Sequence, residues 1–348
     1  MILVQQRWNS FDVLKGLACI AVVFIHFNFD GNLGLIVKAC CRFGVPVFFI
    51  TSGFFFLSNG QVDDTKVASK IRHIARLILF SGVFYAVFTV VFNSISSENW
   101  DIIAYTTQTV TATKLVKFFI TNDPFVYSHL WFLMGLLYCY IFMLLLFSKN
   151  KRLSYLKLLA PCLLIIYTCL QEFGSVLGIQ RSIAITGMES RIYLFNLFLF
   201  RALPFFFFGI LLRQYSQKIT KIPLNKIAAV IIIMLGATIS VLERFFIGET
   251  QFFVGTYLML VAFFVIAIKH PNLNIKWLRY IGCELSLYIY IFHIAIGRIV
   301  DLLAREIGFK DTVVYAYGRA PSILILSLIL AQIIFCCKKQ YLSIQNHN

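Results

Sequence analysis

A lysine and a histidine stand eleven residues apart in the first apolar stretch of the chain, at Lys15 and His26. In an α-helix that spacing returns to within about 20° of whole turns, so both side chains share one face, separated by about 16 Å along the axis. Asp12 lies one turn before Lys15. Ionisable groups inside an apolar helix are costly and usually face a polar interior. A neutral imidazole can take the proton of a hydroxyl as that hydroxyl attacks an acyl carbonyl. An ammonium at the other end can hold a phosphate. The plainer alternative is that Lys15 snorkels to lipid headgroups and His26 makes an interhelical contact.

The elements that must position these groups are membrane helices. The chain is 60% hydrophobic and 13% charged, with a mean hydropathy of +0.84. A soluble domain is about half apolar and about a quarter charged. The excess comes as long apolar runs, each of the roughly 20 residues that cross a bilayer as a helix. About ten runs are legible, near 11–29, 39–58, 75–95, 128–147, 154–171, 192–212, 224–242, 251–268, 281–300 and 320–337. The expected architecture is an all-α integral membrane bundle forming a single domain over 1–348. A short interfacial helix is expected at Lys114–Ile120. The first run continues into Phe29-Asp30-Gly31-Asn32 rather than a small-residue cleavage site, so it reads as a retained helix.

Net charge is +16. With a cytoplasmic N-terminus, 18 of the 31 Lys and Arg residues fall on the inner side, against only Asp63 and Asp64 among the acids there. That bias is the positive-inside pattern, and it places both termini in the cytoplasm. It also accounts for the basic charge without a nucleic-acid partner. The nine cysteines show no Cys-x-x-Cys and no Cys/His spacing, so they read as small apolar residues rather than disulfide or metal ligands. No metal is expected.

The stretch Arg7-x4-Asp12-x2-Lys15-Gly16-Leu17-Ala18-x7-His26 resembles the start of acyltransferase family 3, which carries an Arg or Lys, ten residues and a His in its first helix. Further fragments agree in order. Phe48-Phe49-Ile50-Thr51-Ser52-Gly53 resembles the family's second span. Lys70 to Arg76 resembles the basic entry to the third, and His129-Leu130-Trp131-Phe132 its His-x-Trp-Phe. Phe208-Gly209 resembles the sixth-span Phe-Gly, and Ser286 to His293 the late Ser-x-x-Tyr-x-x-x-His. The resemblance implies about ten spans in a bacterial cytoplasmic membrane. It implies transfer of an acyl group, usually acetyl, from cytoplasmic acyl-CoA to an extracytoplasmic acceptor, often a saccharide. Lys15 replaces the commoner Arg, offering a point charge rather than a bidentate fork. Some relatives carry an additional C-terminal esterase-like domain, and none is expected here.

On this reading His26 is the general base, with Lys15 and Asp12 completing the catalytic set. Lys15, Arg72 and Arg76 would hold the phosphates of acetyl-CoA, the donor substrate; no permanently bound cofactor is expected. His129, Trp131, Arg201, Tyr288 and His293 would line the saccharide acceptor, with aromatic-belt and interhelical hydrogen-bonding roles as their plainer alternatives. Membrane lipids are the remaining expected partner, and oligomerisation is compatible with the reading. The competing function is a glycan transporter or flippase without acyl transfer. That alternative would favour repeated halves and broken midplane helices, and no repeat is visible.

Overall fold

The computed structural model describes residues 8–57, 62–97, 100–109, 111, 114, 117–118, 127–147, 156–173, 182–184, 191–193 and 198–345. In chain order the helices are α1 (Asn9–His26), α2 (Gly31–Cys41), α3 (Gly44–Phe54), α4 (Asp64–Ser96), α5 (Ile102–Thr109), α6 (Trp131–Phe147), α7 (Leu156–Phe173), α8 (Phe198–Arg201), α9 (Leu203–Gln214) and α10 (Ser216–Ile219). They continue with α11 (Lys226–Phe246), α12 (Val254–Lys269), α13 (Lys276–Tyr280), α14 (Ser286–Glu306) and α15 (Val313–Gln345). A π-helical turn, Ile281–Leu285, joins α13 to α14. The only strands among the described residues are Ser182–Ala184 and Arg191–Tyr193, paired antiparallel with Ile183 opposite Ile192. The fold is all-α, and seven helical segments are long and apolar enough to cross a membrane. Residues 159–169 and α12 are shorter apolar helices.

Most expected runs meet a helix whose ends differ. The last one grows from 320–337 to Val313–Gln345, because helices continue past the apolar stretch into polar ends. The sixth, expected over 192–212, does not start as a helix: Arg191–Tyr193 is extended, and among the described residues the next helix is Phe198–Arg201. It then breaks at Ala202, where Pro204 opens α9. Proline lacks a backbone N–H and is favoured at a helix start, so the chain restarts rather than continues there. Most of the helix expected at Lys114–Ile120 lies outside the described residues.

The chain packs as two compact units, Met1–Phe48 with Ser216–Asn348, and Phe49–Tyr215. In the second unit α4 buries a single stripe, Val67, Ile74, Ser81, Tyr85 and Thr89, at spacings of seven and four. That stripe is a helical seam, and α4 packs through it on α6. Its other faces present Leu79, Val83, Val87, Val91 and Ile95, each more than half exposed. A surface that apolar suits lipid rather than water.

In the first unit α1 is central. Its apolar window is 56% buried, against 17% for α11, which makes α11 peripheral. α1 packs on α2, α12, α13, α14 and α15. Its start is tied to the end of α12 by Ser10, whose backbone N–H donates to the Pro271 carbonyl at 3.1 Å and whose hydroxyl donates to the Ala267 carbonyl at 2.7 Å. Its closest crossing is with α13 and the π-turn, and two glycines make it. A Cβ on Gly16 would stand 2.1 Å from the Leu278 carbonyl oxygen, and one on Gly282 would stand 1.9 Å from that of Asp12. Neither site has room for a methyl group, so backbone lies directly on backbone.

Gly282→Ala is therefore expected to separate α1 from the π-turn and cost roughly 1–3 kcal/mol or more by overpacking. Gly82, in α4, has no atom within 4 Å of its would-be Cβ, so Gly82→Ala should leave stability unchanged or slightly raised. Monodisperse yield and melting temperature of the two purified variants in detergent check this contrast.

Candidate active site

The glycine crossing sets the register of everything above it. Gly16 meets α13 at Leu278, and Gly282 meets α1 at Asp12. Ten residues after Gly16 comes His26, and eleven after Gly282 comes His293. The two rings are in contact, with centroids 5.2 Å apart and planes tilted by 52°. The helices thus run in parallel, and the longer branch carries the π-turn. A π-turn absorbs one extra residue, which brings the two histidines level; such turns are frequent at functional sites.

His293 is fully buried and His26 is exposed. The Nδ1 of His293 lies 2.9 Å from the carbonyl oxygens of Ile289 and Tyr290. Carbonyls only accept, so Nδ1 carries the proton and Nε2 is the ring's basic nitrogen. Phe27 braces the pair from beside it. Its ring meets His293 edge-on at 6.2 Å, with the Arg319 guanidinium over it at 5.1 Å. Gly297 leaves the space the Phe27 ring fills, since a Cβ there would stand 2.0 Å from the ring. Arg319 in turn is held by both oxygens of Asp301, at 2.7 and 2.6 Å, and Tyr315 donates its hydroxyl to the same carboxylate.

At the other end of α1, Lys15 is ion-paired to Asp12 at 2.8 Å, and both side chains are largely covered. Helix runs unbroken from there to His26, so the shared face read from spacing is real. Tyr288 and His293, expected to act together, separate. They are five residues apart, so they point to different sides of α14. His293 joins His26, whereas Tyr288 lines a cleft of about 450 Å³ with Glu284, Phe335, Lys338 and Lys339.

The remaining expected residues belong to the second unit. Arg72 and Arg76 both lie on exposed surface of α4. His129 is buried and meets the Tyr85 ring at 5.0 Å. Trp131 and Arg201 come together, with the guanidinium 3.8 Å above the indole ring, a close cation–π stack. That stack joins the start of α6 to α8.

Sequence reading missed a cluster where α2 packs on α1. Lys38 lies in the last turn of α2 and Arg42 directly follows that helix. Both also reach Glu249, at 2.5 and 2.8 Å, and Arg244 approaches the same carboxylate at 3.8 Å. The partners are about 200 residues apart in sequence, and no local pattern signals such a pairing. The one available sign was that Lys38 and Arg42 flank an apolar run on the side expected to be poor in cations.

The hydrogen bond from Lys38, aided by the charges of Arg42 and Arg244, holds the Glu249 carboxyl below its ordinary value of 4.5. A depressed carboxylate contributes stability that is present above the unfolded value and lost as pH falls through the folded one. The native protein should therefore melt higher than Glu249→Gln at neutral pH, with the gap closing as pH drops below 4.5. Melting curves of both proteins between pH 7 and about pH 3 measure this.

The sequence model of an acyltransferase domain, that of acyltransferase family 3, matches residues 8–337, nearly the whole chain. No curated protein and no solved structure matches. The matched region contains α1 and both histidines, and on this match the chain belongs to acyltransferase family 3, a multi-pass membrane acyltransferase.

Proposed function

We propose that this acyltransferase moves an acyl group, acetyl in the first instance, from cytoplasmic acyl-CoA to a hydroxyl of an extracytoplasmic saccharide such as O-antigen, capsule or exopolysaccharide. The bacterial cytoplasmic membrane is the proposed location, with both termini inside. The observation that carries the reading is the His26–His293 contact at the end of an unbroken α1 whose other end holds the Lys15–Asp12 pair.

In the proposed reaction His26 accepts the proton of the acceptor hydroxyl. The oxygen attacks the thioester carbonyl, a C–O bond forms, the C–S bond breaks, and the CoA sulfur leaves with a proton. His293 is fixed by two backbone carbonyls, so it orients and supports the His26 ring. Lys15, held by Asp12, presents a positive charge to a donor phosphate. The 16 Å or so between Lys15 and His26 is a length over which an extended pantetheine arm can run. Arg72 and Arg76 offer further positive charge to an anion. The Trp131–Arg201 stack offers an aromatic face for a sugar ring, with His129 close by in sequence.

Labelled acetyl-CoA supplied to the purified protein in vesicles, with mass spectrometry of added glycans, tests the assignment. His26→Ala should fold, insert and lose about 10²–10⁴-fold in transfer rate, the usual contribution of a general base. Wild-type rates in that variant would remove His26 from the mechanism. Lys15→Ala should raise the KM for acetyl-CoA, and Lys15→Arg should restore it, because the role needs only a cation at that position.

A further inference from the structure

Among the described residues, the ion pairs at Glu249 set three cations against one carboxylate, and their members differ in burial. Lys38, Arg42 and Arg244 converge on one carboxylate. The cations are the covered members, with side chains 23%, 14% and 18% exposed, whereas Glu249 is 49% exposed. A structural ion pair in a poorly solvated place is normally matched in charge, because uncompensated buried charge is costly. The nearest carboxylate in sequence does not correct the imbalance. Glu243 uses both oxygens to accept the backbone N–H groups of Val254 and Gly255, each at 3.1 Å, at the start of α12. Glu249 is therefore the most exposed member of a cluster whose positive charge exceeds its own. It follows Gly248, whose φ of +101° is a left-handed turn.

The position of this cluster matters as much as its charge. Lys38 closes α2 and Arg42 caps it, and α2 packs on α1, the helix that ends in His26. In the topology expected from the charge bias they lie at the outer end, where positive-inside anchoring gives no reason for them. Resting on the proposed acyl transfer, we infer that Lys38, Arg42 and Arg244 form an anion subsite for the acceptor, so that the saccharide acetylated here carries a negative group near the reacting hydroxyl. Glu249 occupies that subsite in the unliganded protein, and the acceptor's anion displaces it. A uronic-acid carboxylate and a glycosyl phosphate share the required chemistry. Arg42 can meet either with a planar fork, and Lys38 adds a point charge.

The test uses the full-length protein in nanodiscs and three probes of equal length: a uronate-containing oligosaccharide, its carboxyl-reduced neutral counterpart, and that neutral chain bearing a terminal phosphate. Binding is read by thermal stabilisation, which needs no turnover. At least one anionic probe should bind about tenfold or more tightly than the neutral one, as loss of a charge-assisted hydrogen bond would predict. The preferred anion identifies carboxylate or phosphate as the source. Arg42→Gln should reduce that preference several-fold, and Glu249→Gln should tighten anionic binding several-fold by removing the competitor. Equal binding of all three probes by the native protein overturns the subsite without recourse to a variant. Weaker anionic binding in Glu249→Gln likewise overturns it, since the carboxylate would then be a structural partner. If the anionic probe binds as expected but no label passes to it from acetyl-CoA, the subsite stands and the acyl-transfer reading falls.

Discussion

Where Gly282 rests on the Asp12 carbonyl and Gly16 on that of Leu278, no side chain separates the helices. This crossing constrains the whole Met1–Phe48 and Ser216–Asn348 unit. In lipid there is no hydrophobic force to drive helices together, and close backbone approach through small residues is one of the means left. The contact holds α1 at Asp12 and Gly16, in its first half. It leaves the Lys15–Asp12 pair beside one end of the crossing and lets the next ten residues rise alongside α14. Placement of His26 is therefore a consequence of two absent side chains near the other end of the helix.

Given that anchor, the π-turn acquires a purpose. Two parallel α-helices fixed at Gly16 and Gly282 would bring His26 level with the residue before His293. One extra residue in the turn Ile281–Leu285 shifts the later histidine into contact. Tyr288, on another side of α14, lines the cleft with Lys338 and Lys339. A wider turn weakens local hydrogen bonding, and its persistence here fits a demand for register. Phe27, Gly297, Arg319 and Asp301 then fix the ring environment from the side.

Apolar runs declared the helices, since a bilayer imposes length and hydropathy on sequence. The shared face of Lys15 and His26 was legible for a similar reason: helical periodicity is local and α1 has no break. What stayed hidden is what depends on contact between distant segments. Glu249 reads as one more acid in an outer loop, yet it meets Arg42 across 207 residues. The family resemblance grouped Tyr288 with His293 in one motif, although five residues along α14 turn them to different sides. The break at Ala202 was partly written in Pro204, but an apolar run masked it. Fold class thus follows from solvent, while the site follows from register, which solvent does not encode.

The two ends of α1 face different electrostatic problems. Around Lys15 the charge is matched, one ammonium to one carboxylate, and the pair is stable as it stands. Around Glu249, where α2 packs on α1, it is not: Lys38, Arg42 and Arg244 share that one exposed carboxylate among the described residues. In the proposed transfer the acceptor hydroxyl becomes an oxyanion as it reacts. Fixed cations near a developing negative charge lower its energy in proportion to how little they must reorganise, and Arg and Lys side chains already held by an ion pair reorganise little. An anionic acceptor would use the same cations twice, first to dock its own charge and then to ease the formation of the alkoxide beside it. The asymmetry between the two ends is what a helix carrying a donor at one end and an acceptor at the other would need.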